Sequence, residues 1–214
     1  MKKITIHALI LISFLICKSA RSQQFDSRVD MGIIESNEIR EASGIAASSK
    51  NPGIFWTFND SGGGNKVFAF DSLGRHRGNF FLAGAQNRDW EDIAIGPGSV
   101  AGEQYIYVGD IGDNSARYDN KYIYRIIEPH VPADQAPIDT VLYDVDRLVF
   151  QYPDGNRDAE TLMIDPLSLD IYIVSKELST KVYRAAWPYT FYAAPTLNVD
   201  ILEVVVSLPF EMAV

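Results

Sequence analysis

Short runs of aromatic and β-branched residues, separated by Gly, Asn, Asp and Pro, recur along the chain after residue 40. These runs fall into pairs, each pair joined by a polar loop: GIFWTF (53–58) with KVFAF (66–70), QYIYVG (104–109) with KYIYRI (121–126), and LDIYIV (169–174) with KVYRA (181–185). Such residues favour strands, and such separators favour turns. No stretch beyond residue 22 has the 3.6-residue periodicity of an amphipathic helix. The pattern therefore predicts an all-β protein.

A repeated acidic motif stands before each pair of runs. The stretch NRDWEDIAIGP (87–97) has a near copy in NRDAETLMIDP (156–166) and a looser one in REASGIAAS (40–48). A candidate fourth strand ends each unit: GNFFLAG (78–84), TVLYDVDRLVFQY (140–152) and VDILEVVVSL (199–208). The sequence thus predicts three units of four strands, at approximately 40–85, 87–152 and 156–207.

Four strands per repeat is typical of the blades of a β-propeller. The second unit is longer than the first, and we assign its extra length to a loop in the proline-rich stretch HVPADQAPID (130–139). A closed propeller needs about four to eight blades. We therefore expect about three blades of an incomplete ring. The chain would be either a fragment of a longer protein, which we favour, or part of a ring that a partner completes.

The first 22 residues have the features of a secretory signal peptide: a basic start, an apolar run from Ile4 to Ile16 and small residues near Ser22. The domain then covers 23–214, and the only cysteine, Cys17, is lost with the leader. The leader also carries four basic residues, so its removal changes the net charge from −9 to −13. We expect an exported, soluble protein, periplasmic or extracellular, that neither binds nucleic acid nor inserts into a membrane.

The acidic motif suggests a metal site. Residues i and i+2 of a strand share a face, so Asp89 and Glu91 should point the same way and Asp92 the opposite way. In the other two units the same positions hold Asp158 with Glu160, and Glu41 with Ser43. If the first strand of each blade lines the channel, these channel-facing pairs converge near its mouth. Carboxylates gathered there without a nearby lysine or histidine favour a hard divalent cation such as calcium.

Structural explanations of the same residues stay open. The acidic pairs would also serve as hydrogen-bonding groups between blades, and Arg88 and Arg157 would then neutralise them. The loops NDSGGG (59–64) and DIGDN (110–114) are ordinary turn sequences and match neither a P-loop nor an EF-hand. No histidine has metal-ligand spacing, and no G-x-S-x-G motif is present. Catalysis would therefore depend on carboxylates and a bound cation.

The segments EASGIAAS and DWEDIAIGP, each followed by a β-run that ends in FNDSGG or VGDIGDN, resemble six-bladed propellers of a calcium-dependent superfamily. Phytase-like esterases and SdiA-regulated proteins are the most similar type, and strictosidine synthases and gluconolactonase-like proteins are more distant. In that superfamily a Glu on an inner strand holds calcium together with Asn and Asp from neighbouring loops. The resemblance implies a calcium ligand set here, which comprises Glu91, Glu160, Asn59, Asp110 and Glu41. The chain departs from these propellers in lacking the later blades and a channel histidine.

Two functions remain after these considerations. The first is a propeller that binds calcium and a small or extended ligand at the channel mouth, with metal-assisted hydrolysis of an ester or phosphoester as its reaction. The second is a non-catalytic binding or scaffold module in which any metal is structural. The sequence does not identify the ligand, and fold alone does not decide between the two functions.

Overall fold

The computed structural model describes residues 27–132, 136–193 and 199–209, so the predicted signal peptide (1–22) lies outside the described residues. The described part is built from strands in three sheets and contains no helix, which confirms the prediction of an all-β protein. It accordingly has no helix that is long and apolar enough to cross a membrane. All three sheets belong to one compact unit, Met31–Val214.

Each sheet is built around four antiparallel strands. The first contains β1 (Ala42–Ala47), β2 (Ile54–Asn59), β3 (Lys66–Asp71) and β4 (His76–Leu82). The second contains β5 (Trp90–Pro97), β6 (Gln104–Asp110), β7 (Lys121–Ile127) and, after β8 (Ile138–Leu142), β9 (Asp146–Gln151). The third contains β10 (Ala159–Ile164), β11 (Ile171–Ser175), β12 (Ser179–Ala185) and, after β13 (Tyr192–Ala193) and β14 (Val199–Ile201), β15 (Glu203–Pro209).

Two of the predicted fourth strands are each divided between two sheets. The stretch 140–152 contains the end of β8 and all of β9. Strand β8 pairs in parallel with β4 of the first sheet, whereas β9 pairs with β7 of the second. Similarly, 199–208 contains β14, which pairs with β9, and most of β15, which pairs with β12. These pairings join distant parts of the chain, so the alternation of residues along one segment does not reveal them.

Two apolar cores lie between consecutive sheets. In the first core, Trp56 and Phe58 of β2 lie with Trp90 and Ile106 of the second sheet. The second core lies between the second and third sheets and contains Tyr107, Ile123, Phe150, Leu162, Ile173 and Tyr183. The second sheet is therefore covered on both faces. Its strand β5 lies beside both β1 and β10, which brings the first strands of all three sheets together.

A β-bulge interrupts the first strand of the second and third sheets at the acidic motif. In β5, Trp90 pairs with Asp110 and Asp92 pairs with Gly109, so Glu91 is an extra residue. In β10, Ala159 and Thr161 pair with consecutive residues of β11, so Glu160 is extra in the same way. Strand β1 has a register shift between Ala42 and Ile45. A bulge redirects a side chain out of the regular alternation, so the bulges determine how both glutamates are aimed.

Candidate metal centre

Glu91 is the central residue of the acidic cluster. Its side chain belongs to two groups of three carboxylates, and within each group the oxygen atoms lie within 4.8 Å of one another. One group joins Glu91 to Asp60 and Asp89, and the other joins it to Asp158 and Glu160. Glu91 is only 5% exposed, whereas the other four residues are partly exposed. The cluster therefore extends from a buried centre towards the solvent on both sides.

Residues from all three sheets form the surroundings of this centre. Asp60 follows β2 of the first sheet, Asp89 precedes β5 of the second, and Asp158 precedes β10 of the third. Ser43 of β1 adds a hydroxyl that donates a hydrogen bond of 3.4 Å to Glu91 Oε2. The convergence follows from the contact of β5 with both β1 and β10.

Gly112, in the loop after β6, supports the cluster from the second sheet. Its backbone N–H donates a hydrogen bond of 3.1 Å to the backbone carbonyl oxygen of Asp89. A Cβ atom at this position would meet Glu91 Oε1 and would lie 2.6 Å from Asp89 Cγ. Real Cβ atoms essentially never approach other atoms so closely. The absence of a side chain at residue 112 is therefore a steric condition for these two carboxylates to occupy their positions.

Burial and neighbouring negative charges disfavour ionisation of the carboxyl groups in the cluster. Burial, followed by the negative charges of Glu160 and Asp60, raises the pKa of Glu91 from 4.5 to about 8. Burial and the charges of Asp60 and Asp158 also raise the pKa of Asp89. Both shifts mean that the surroundings disfavour the negative form of these carboxylates. A bound cation would reverse this preference.

The basic residues near the motif do not neutralise Glu91. Arg88 pairs with the fully buried Asp110 at 2.9 Å, and Arg157 pairs with Asp154 and Glu177. The prediction that no lysine lies near the acidic pairs is wrong at two positions. Lys176 forms an ion pair of 2.5 Å with Glu160, and the Lys121 ammonium group lies close enough to Asp89 and Asp158 to interact electrostatically with both. In the described part of the chain, no lysine or arginine forms an ion pair with Glu91.

Five of the residues singled out from the sequence meet at this centre: Glu91, Glu160, Asp89, Asp158 and Ser43. The other three have different surroundings. Asn59 Oδ1 accepts the backbone N–H groups of Arg40 and Glu41 and so organises the entry to β1. Asp110 accepts the N–H of Asp89 in addition to its pairing with Arg88. Glu41 is exposed, and its backbone oxygen accepts the N–H of Asp60.

Sequence reasoning missed Asp60 and Gly112 as parts of the centre. Asp60 lies in the oxygen-rich loop after β2, but so do Asn59 and Ser61, and nothing in the sequence distinguishes the three. Asp92 was expected to point away from Glu91. Asp92 belongs to neither carboxylate group. Its side chain links two first strands, because Oδ2 accepts the N–H of Leu162 on β10 and Oδ1 accepts the N–H of Ile93, each at a distance of 2.8 Å.

The scan of protein-family models finds no match to this chain, and the search of curated proteins finds none either. The geometry of the centre therefore carries the functional conclusion. Among the described residues, the side-chain ligands assembled there are carboxylate and hydroxyl oxygens, and such a ligand set suits Ca²⁺ or Mg²⁺ rather than zinc or copper. Ca²⁺ accepts six to eight oxygen ligands in flexible geometry, which fits the two overlapping groups of three carboxylates better than the strict octahedron of Mg²⁺.

Proposed function

We propose that this chain forms an exported, calcium-dependent β-propeller structure, whose first strands hold the cation at the place where the three sheets meet. One observation carries the proposal: Glu91 is buried, belongs to both carboxylate groups and has no ion-pair partner among the described residues. A buried carboxyl group without an ion-pair partner is costly to ionise, and a divalent cation favours the ionised form of several such groups at once.

The propeller assignment is supported by the order and packing of the sheets. Sheets built around four antiparallel strands follow one another along the chain, and each apolar core lies between two consecutive sheets. The first strands are neighbours, as the innermost strands of propeller blades are. Export is supported by the leader-like residues 1–22.

A cleft of about 460 Å³ lies against the loop after β2, where Asn59 and Ser61, the two chain neighbours of Asp60, belong to its lining. Its lining includes Arg40, Glu41, Asn59 and Ser61, so it offers both charges and neutral hydrogen-bonding groups to a small or extended ligand. In the catalytic form of the proposal, the cation would polarise a carbonyl or phosphoryl oxygen of the bound ligand, and the proposed reaction is hydrolysis of an ester or phosphoester.

The burial of Glu91 favours a second candidate, in which the cation only stabilises a non-catalytic binding module. A buried ligand is well placed to hold sheets together and poorly placed to meet a substrate. The two candidates differ in the expected effect of E91Q/E160Q. In the catalytic case the double variant folds but loses hydrolysis or ligand binding, whereas in the structural case only its thermal stability changes.

The test of cation binding is a thermal melt of chelator-treated protein with and without calcium. Saturation at about 100 times Kd stabilises a protein by about 2.7 kcal/mol, so the two curves should separate clearly. E91Q/E160Q should abolish the separation, while E103Q/E203Q, which removes two negative charges elsewhere on the chain, should retain it. Coincident curves for the unmodified protein would reject the cation site.

A further inference from the structure

A buried ion pair lies directly beside the acidic cluster, between the loop after β6 and the start of β7. Lys121 Nζ donates a hydrogen bond of 2.7 Å to Asp113 Oδ2, and both side chains are almost completely inaccessible to solvent. The Asp113 carboxylate also accepts hydrogen bonds of 2.8 Å from the backbone N–H groups of Arg117 and Tyr118. With three donors bound, Asp113 anchors the loop and is not available as a cation ligand.

The anchored loop contacts both carboxylate groups through two consecutive residues. The backbone N–H of Asp113 donates a hydrogen bond of 2.7 Å to Asp158 Oδ1. This bond orients the Asp158 carboxylate, which lies just before the third sheet. The preceding residue, Gly112, lies against Asp89 and Glu91 of the second sheet. The position of this short segment therefore controls the spacing between the two groups.

We infer that the Asp113–Lys121 pair is a positioning device for a divalent cation at the Glu91 centre, an inference that depends on the proposed cation binding. The pair fixes the loop, the Asp113 N–H fixes Asp158, and Gly112 leaves room for Asp89 and Glu91. Neither member of the pair touches the cation. Groups that orient metal ligands in this way typically change metal affinity by 10- to 100-fold when they are replaced.

The effect of replacing Lys121 on calcium affinity tests the inference, because a role of its charge and a role in holding the loop predict changes in opposite directions. The Lys121 ammonium group is a positive charge close to Asp89 and Asp158. If only its charge mattered, its removal would strengthen the binding of a cation. If it acts by holding Asp113 and the loop, its removal weakens binding despite the loss of a positive charge.

The experiment is titration calorimetry of CaCl₂ into chelator-treated protein, with variants first checked for folding by circular dichroism. K121M should raise the Kd for calcium by about 10-fold or more, and D113N should do the same. D146N is the matched control, because it breaks the Arg125–Asp146 ion pair of the same sheet, which involves no residue of the cluster. D146N should leave the Kd for calcium unchanged.

The outcomes separate this inference from the proposed function. If the unmodified protein binds no calcium, the proposed function fails and the inference fails with it. If the unmodified protein binds calcium and K121M binds equally or more tightly, the positioning role alone is overturned. If K121M does not fold, K121Q replaces it with the same expected loss of affinity. If neither lysine variant folds, the pair serves the stability of the whole sheet, and the inference is also overturned.

Discussion

Gly112 and Glu91 are packed so closely that any side chain at residue 112 would displace the Glu91 carboxylate. G112A should therefore weaken calcium binding by about 10-fold or more, since both Glu91 and Asp89 would have to move. The affinity is measured by calorimetry in comparison with G109A. The three atoms nearest to a Cβ atom at Gly109 would all belong to the side chain of Ile111, at 3.1 Å or more, so that variant should retain its affinity. Equal affinities for G112A and the unmodified protein would contradict the prediction.

The stability of the cation-free protein should fall as pH rises. Because the pKa of Glu91 is raised to about 8 in the folded protein from an ordinary value of 4.5, folding favours the protonated carboxyl. The contribution of this group to stability is therefore greatest below pH 4.5 and is lost as pH rises through about 8. Thermal melts in chelator, from about pH 5 to about pH 9, measure this dependence. E91Q should flatten the curve, and an equal slope in both proteins would exclude Glu91 as its source.

Excess calcium should reverse the sign of this dependence. Cations bind to the deprotonated carboxylate, so protons compete with calcium at low pH and the stabilisation by calcium should increase as pH rises. The measurement is the difference between melting temperatures in calcium and in chelator at each pH. A difference that shrinks with increasing pH would mean that calcium binds elsewhere on the protein.

Arg88 should be essential to folding rather than to cation binding. It is the ion-pair partner of Asp110, whose side chain is fully buried, and burial already raises the pKa of that carboxyl. R88M would leave a buried charge without its partner, at a cost of about 3–5 kcal/mol in the free energy of unfolding. Urea denaturation measures this loss. R75M, which breaks an exposed ion pair with Asp71, should cost about 1 kcal/mol or less.

Asp92 should contribute to stability through the junction of β5 with β10. D92A removes the acceptor for the backbone N–H of Leu162, and an unsatisfied buried donor costs about 1–3 kcal/mol. Chemical denaturation in chelator should show this loss in the absence of any cation. The stabilisation by calcium should persist in D92A, since Asp92 belongs to neither carboxylate group. Loss of that stabilisation would show that Asp92 also supports the cation site.

The all-β class was predictable from the sequence because the strand signals are local. Aromatic and β-branched runs such as GIFWTF form strands wherever an apolar core is available, and the Asn, Asp and Gly residues between them form the turns. The sequence also predicted that the Asp89 and Glu91 side chains lie close together, but on the assumption that both belong to a regular strand, in which residues i and i+2 share a face. In the structure, Asp89 precedes β5 and the bulge aims Glu91, so the two residues meet for a different reason.

The remaining features depend on contacts between distant segments. The ion pair of Lys176 with Glu160 and the proximity of Asp60 to Glu91 arise only once the sheets are packed. The parallel pairing of β8 with β4 is equally invisible in the sequence, because TVLYDVDRLVFQY reads as one long strand. Such features need a three-dimensional arrangement, which propensity and periodicity do not supply.

The pairing of β8 with β4 of the first sheet has a consequence for any attempt to shorten this protein. Strand β8 covers the outer edge of β4, whose sequence HRGNFFL would otherwise present unpaired backbone groups next to two phenylalanines. A fragment that ends after the first sheet would expose this edge, and exposed apolar edges recruit strands from other molecules. The first sheet expressed alone would therefore tend to aggregate, and the smallest well-behaved fragment must extend at least through Leu142.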